Sequence, residues 1–137
     1  MSYTTLLSSI NTALQAQGLT AAPEPRDSDL LNAGRGSFDG SYLITNESGA
    51  EPWPELSTNP SNWRATLRLQ VGTELTDSAE TQSGTVEARA RAVYKSLQYA
   101  TTPVGRCLYN WQKPSQRRAP QSKRLVWEVR FTARWSE

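Results

Sequence analysis

Five cations and no anion fall within residues 113–124, KPSQRRAPQSKR: Lys113, Arg117, Arg118, Lys123 and Arg124. Lys and Arg at this density neutralise phosphodiester charge without reading base sequence. The run is therefore a candidate contact for DNA, and the plainer alternative is a solvated loop that keeps a hairpin soluble. A second candidate is the acidic group Glu24, Asp27 and Asp29. Paired carboxylates move protons or hold Mg²⁺, but these lack a neighbouring His or Lys and lie among Pro23, Pro25 and Arg26, which favours a solvated loop. The stretch GRGSFDG at 34–40 precedes a strand, the wrong order for a phosphate-cradling turn. The chain has no His, which excludes Ser-His-Asp and Cys-His catalysis and every His-containing metal site. A single cysteine, Cys107, excludes an internal disulfide and a cysteine zinc cluster. The expectation is a non-enzymatic protein with no cofactor and no metal.

Tryptophan is the other conspicuous resource. Five Trp and five Tyr supply volume in a chain of 137 residues that is only 36% hydrophobic. Trp127 and Trp135 fit the apolar side of a strand, and Trp111 fits the same side of its strand partner. Trp53 stands between Pro52 and Pro54 in an irregular stretch, where local burial is harder, and Trp is enriched at interfaces. It is a candidate for contact with another chain, and Trp63 closes the base of that stretch. The net charge is only +2, too small for charge-driven disorder. The charge is uneven, however: residues 69–137 hold 11 basic and 6 acidic groups, against 4 and 7 in residues 1–68. Opposite halves of this kind suit DNA contact or head-to-tail packing of copies. No apolar run approaches the ~18 residues of a membrane span, and MSYTTLLSSINTALQAQG lacks the basic start and apolar core of a signal peptide. The reading is a chain made in a reducing cytoplasm.

The elements that must position these residues follow from periodicity. A helix capped by Ser2 runs to about Gln17, with Leu6, Ile10, Ala13 and Leu14 on one face and Gly18 as its stop. Residues 19–39 are rich in Pro, Asp and Gly, with Leu30 and Leu31 as their apolar anchor. Ser41–Asn46 is a short strand, and Glu47–Asn62, with three prolines, is an irregular loop or flap. Arg64–Leu75 alternates, with Ala65, Leu67, Leu69 and Val71 buried and Arg64, Thr66, Arg68 and Gln70 wet. Asp77 or Ser78 opens a second helix whose buried stripe is Val86, Ala90, Val93, Tyr94 and Leu97, and Pro103 stops it. Arg106–Trp111 is a strand, Lys113–Lys123 a basic loop, and Arg124–Trp135 a strand of about 40 Å at ~3.3 Å per residue. That length exceeds what one small domain needs, so one end is expected to project or to pair with another subunit. The sum is a single α+β domain over 1–137: about four mainly antiparallel strands, two helices on one face, one long loop and one basic hairpin loop.

This order resembles the tail terminator proteins of long-tailed bacteriophages: a short N-terminal helix, SYLITN, a loop, RATLRLQVGTEL, VEARARAVYKSLQ, and two closing strands ending in RLVWEVRFTARW. The resemblance covers most of the chain in architecture and texture. It implies a structural virion protein, assembled in the host cytoplasm, whose copies form a ring, expected to be a hexamer. The ring caps the tail tube, stops its polymerisation and docks to the head–tail connector, and double-stranded DNA passes through its lumen. Lys113, Arg117, Arg118, Lys123 and Arg124 would then face the lumen or an axial partner, and Trp53, Trp63, Arg130 and Arg134 would meet a neighbouring subunit or ring. The partners implied are further copies, the tail tube protein, the connector and transient DNA, with no membrane. Two alternatives stand beside it: a connector or stopper of the neck, and a small nucleic-acid-binding module using the basic loop.

Overall fold

A computed structural model describes residues 3–22, 29–32, 38–53, 61–75, 79–99, 101–102, 105–106, 112–118 and 123–136. The first helix, α1 (Tyr3–Gln15), buries Leu6, Ile10 and Leu14. It ends as its sequence dictates. Gly18 takes φ +82°, its N–H donates to the Gln15 carbonyl and the Leu19 N–H reaches back to Leu14, a left-handed cap that only glycine adopts without strain. Next come β1 (Thr20–Ala21), a 3₁₀ turn at Leu30–Asn32, β2 (Ser41–Asn46), β3 (Glu51–Pro52) and β4 (Asn62–Glu74). Helix α2 (Ala79–Tyr99) follows, then β5 (Thr101–Thr102), β6 (Gly105–Arg106), β7 (Ser115–Arg118) and β8 (Arg124–Ser136).

The main sheet has six strands in the order β1-β2-β4-β8-β7, with β3 also on β4; β5 and β6 pair separately. β1 runs parallel to β2 and every other pairing is antiparallel. The α+β class therefore stands, while the sheet is larger than four strands and mixed. Its spine is the β4–β8 pair, in register from Asn62–Ser136 to Glu74–Arg124. The length of β8 is thus matched inside the domain by an equally long β4, and the expected projecting end is absent. The proline-rich stretch after Glu47 is also less irregular than expected, because Glu51 and Pro52 pair with Arg64 and Trp63.

Both helices pack on one face of this sheet. Leu6, Ile10 and Leu14 of α1 and Val93 and Leu97 of α2 meet Ala65, Leu67, Leu69 and Val71 of β4. Trp127, Val129, Phe131, Ala133 and Trp135 of β8 complete that core. Each fully buried Leu, Val or Phe side chain there contributes about 1.5–3 kcal/mol of transfer free energy. Two polar ties align the helices. Tyr42 Oη donates to Asn11 Oδ1 at 2.7 Å, and Arg89 of α2 donates to the Asp39 carboxylate, the Gly72 carbonyl and Thr73 Oγ1. Tyr94, expected in the buried stripe, is 37% exposed; at 100° per residue it lies beside Val93 and Leu97 but past the edge of the sheet contact.

The second sheet face is not simply wet. Leu30, Phe38 and Val126 form a smaller apolar cluster over it, with Leu31 and Leu43 packed alongside. Gln70 is fully buried there and Glu128 nearly so. Period-two reading assigns Gln70 to solvent because it counts residues on one strand. It does not see Leu30 and Phe38 come to lie over that face. Leu30 is the anchor that segment promised.

Candidate functional site

The uncovered part of the second face and its hairpin edge bring together most of the charged residues singled out in the sequence. Residues on β4 and β8 that face each other directly include Arg64–Arg134 and Arg68–Arg130. Like charges in opposed positions destabilise a sheet, and the fold offsets them with acids from neighbouring segments. Glu47, just past β2, accepts from Arg130 Nε at 2.8 Å and Nη2 at 3.1 Å and lies 3.7 Å from Arg68. Glu51 of β3 accepts from Arg64 Nε at 2.7 Å. Arg134 lays its guanidinium carbon 3.8 Å from the centre of the Trp53 ring. Trp53 is thus half-buried against its own chain, and Arg130 and Arg134 stand in the same arrangement. Trp63 packs on the main core opposite Trp135, and Tyr3 tilts against Trp135 at 5.1 Å. The indole N–H groups of Trp63 and Trp135 are buried with no acceptor among the described residues.

Toward the hairpin the ion pairs continue. Arg68 Nε lies 3.4 Å from Glu128, and Arg117 Nε lies 3.9 Å from the other oxygen of that carboxylate. Gln70 Nε2 also donates to Glu128, while its Oε1 accepts the Leu30 N–H at 2.9 Å. Arg117 then closes on Asp29 with two bonds, Nη1 to Oδ2 at 3.0 Å and Nη2 to Oδ1 at 2.9 Å. Alternating charges therefore run Arg130, Glu47, Arg68, Glu128, Arg117, Asp29 across the sheet. The hydrogen bonds from Arg117 hold the Asp29 carboxyl below the usual carboxylate range against a smaller opposing effect of burial. The same bonds raise the Arg117 guanidinium. Asp29 was expected in a solvated loop; its partner lies 88 residues away, beyond any local pattern. Glu24 and Asp27 lie outside the described residues.

The basic loop is in part a strand. Ser115–Arg118 pairs with Leu125–Glu128, and the Gln112 N–H donates to the Arg130 carbonyl. Lys113 and Pro114 lie between those contacts, outside the paired strand. Lys113, Arg118 and Lys123 are exposed. Arg117 is committed to Asp29, and Arg124 sits 4.9 Å over the Phe38 ring. The five cations are therefore not equivalent: Lys113, Arg118 and Lys123 are exposed, while Arg117 and Arg124 are half-buried against Asp29 and Phe38. The expected strand Arg106–Trp111 is seen only as β6 at its start, and Cys107, Tyr109 and Trp111 lie outside the described residues.

Among the described residues no group of three Cys, Asp or Glu could hold a metal. A cleft of about 360 Å³ opens between the end of α1 and α2, lined by Gln17, Gly18, Gly40, Thr85, Ala88 and Arg89 among others. Its one charged group, Arg89, is tied to Asp39, whose carboxyl that bond holds below its usual range. Among the described residues no helix is long and apolar enough to cross a membrane. Neither protein-family models nor curated proteins give a match to this chain.

Proposed function

We propose that the chain is a structural subunit of a long-tailed bacteriophage, a tail terminator whose copies close into a ring. The ring caps the tail tube, presents a docking surface to the head connector and passes DNA through its lumen. The role is architectural and involves no catalysis. The observation that carries this reading is the basic β7–β8 hairpin, with Lys113, Arg118 and Lys123 exposed at one edge of the sheet. A mainly positive edge suits contact with DNA or with a partner in a closed assembly. The succession of α1, β2, β4, α2 and the closing hairpin supports the same reading.

The structure also changes how such subunits would meet. Pro52 sits in β3 and Pro114 beside β7, and exposed Lys and Arg side chains lie on the β7 edge. These are devices that discourage strand addition. Copies are therefore expected to join through side-chain surfaces instead of a shared sheet, with Trp53, Trp63, Arg130 and Arg134 near that contact. Negative-stain images and the mass in solution test the reading. A closed ring of about six subunits is the expected result, and a protein that stays monomeric at high concentration and on tube ends would sink it. The exposed cations also fit a small DNA-binding module. That reading predicts a monomer whose affinity for duplex falls by about 0.9 log units per phosphate contact per log unit of salt.

A further inference from the structure

The geometry points to Arg117 as a DNA-phosphate site that is masked within the chain, with the Asp29 carboxylate standing in for the phosphate. The inference rests on the assembly reading above only in taking DNA as the anion. Arg117 grips Asp29 through both terminal nitrogens, at 2.9 and 3.0 Å. This two-pronged geometry is the one by which a guanidinium also grips phosphate. Arg117 belongs to the hairpin that exposes Lys113, Arg118 and Lys123, so a polyanion drawn to those three arrives beside it.

Exchange is cheap on both sides of the pair. The side chains of Arg117 and Asp29 are 40% and 24% exposed; ion pairs this open to water hold by factors of about 1.4 to 5, and the bidentate geometry puts this one at the upper end. Glu128, 3.9 Å from its Nε, remains beside Arg117 after Asp29 leaves. The segment carrying Asp29 also stays, because the next residue is anchored independently. Leu30 is fully buried against Phe38 and Val126 and donates its N–H to Gln70. Only the Asp29 side chain has to swing out, giving up its second bond, to the Leu31 N–H at 3.1 Å. An acidic protein partner is the weaker occupant. Gln112–Arg118 (QKPSQRR) offers no aromatic or aliphatic anchor beyond Pro114, and protein interfaces draw their energy from such anchors, whereas phosphate contact needs only charge.

The test measures binding of a mixed-sequence DNA duplex to the full chain by fluorescence anisotropy across a salt series. Asp29→Asn is expected to bind about 2- to 5-fold tighter than the parent, and Asp29→Ser, which retains a short polar side chain, is expected to do the same if the first variant folds poorly. Adding Arg117→Gln should abolish the gain and flatten the salt slope by about 0.9. Glu87→Gln, which removes an exposed acid on α2, should leave affinity unchanged. Hydrogen exchange on the DNA-bound parent should show the Leu31 amide losing protection while the Leu30 amide keeps it. The masking is overturned if the Asp29 variants bind no tighter, if Glu87→Gln gains as much, or if the gain survives Arg117→Gln. Stronger binding to poly-glutamate than to duplex overturns the assignment to DNA. The mass of the same samples separates the two readings: a monomer showing the gain removes the ring and keeps the masking, and a ring without it does the reverse.

Discussion

Gly72 presents its bare Cα to Phe38: a Cβ there would lie 2.7 Å from the Phe38 carbonyl oxygen and 3.0 Å from the ring. The central strand of the sheet is therefore shaped to admit the 38–40 turn, and the Gly40 N–H bonds the Gly72 carbonyl at 3.0 Å across the same contact. Gly72→Ala is expected to cost about 1–3 kcal/mol by overpacking, measured as a lower midpoint in urea unfolding. The obstacle is partly backbone, so the neighbour has little freedom to yield.

Phe131 lies at the centre of the main core on β8, opposite Leu67 and almost fully buried. Phe131→Ala should cost about 3–5 kcal/mol. That is a large part of the stability of a domain of this size, so the measurement is best made at low temperature in mild denaturant. A loss below about 1 kcal/mol would show that the β4–β8 spine does not sit where described.

Asp39, in the turn before β2, ties α2 to β4. Its carboxylate accepts from Arg89 of α2 at 2.9 Å and from the Glu74 N–H of β4 at 3.0 Å. The Arg89 bond, first among the causes, lowers its folded pKa. A lowered carboxylate stabilises the fold fully above its unfolded pKa, and the stabilisation is lost as pH falls through the folded value. Urea unfolding should show Asp39→Asn weaker than the parent at pH 6, with the gap narrowing steadily below about pH 4. The side chain is nearly half exposed, so the gap at pH 6 is expected at the small end for an ion pair, about 1 kcal/mol or less. A gap that widens on acidification would contradict the assignment.

Trp53 and Arg134 stack at 3.8 Å. Trp53→Ala should lower monomer stability by about 0.5–1 kcal/mol through the lost cation–π contact, and Arg134→Ala should do about the same. A double-mutant cycle on unfolding should return a coupling of that size. If Trp53 also meets a neighbouring subunit, its variant will weaken assembly far more than it weakens the fold, whereas a purely internal role leaves assembly unchanged.

Local pattern by itself determined the first helix and its glycine stop, Ser41–Asn46 as a strand, and the long alternating strands that became β4 and β8. These features depend on residues two to four positions apart, which a single segment displays. It also determined that Leu30 anchors the 19–39 segment and that no histidine chemistry is possible. Tertiary structure alone decided the fate of the charged residues. Arg117 meets Asp29 and Arg130 meets Glu47 across 88 and 83 residues, and such pairings leave no trace in spacing. It also buried Gln70, which alternation assigns to water, by bringing Leu30 against it. The full pairing of β8 with β4 likewise came from the partner strand, since a strand's own sequence does not state how long its neighbour is. A run of five cations was legible from composition. Which of them are free to meet another molecule depends on where the acids of the other half of the chain come to rest, and only folding decides that.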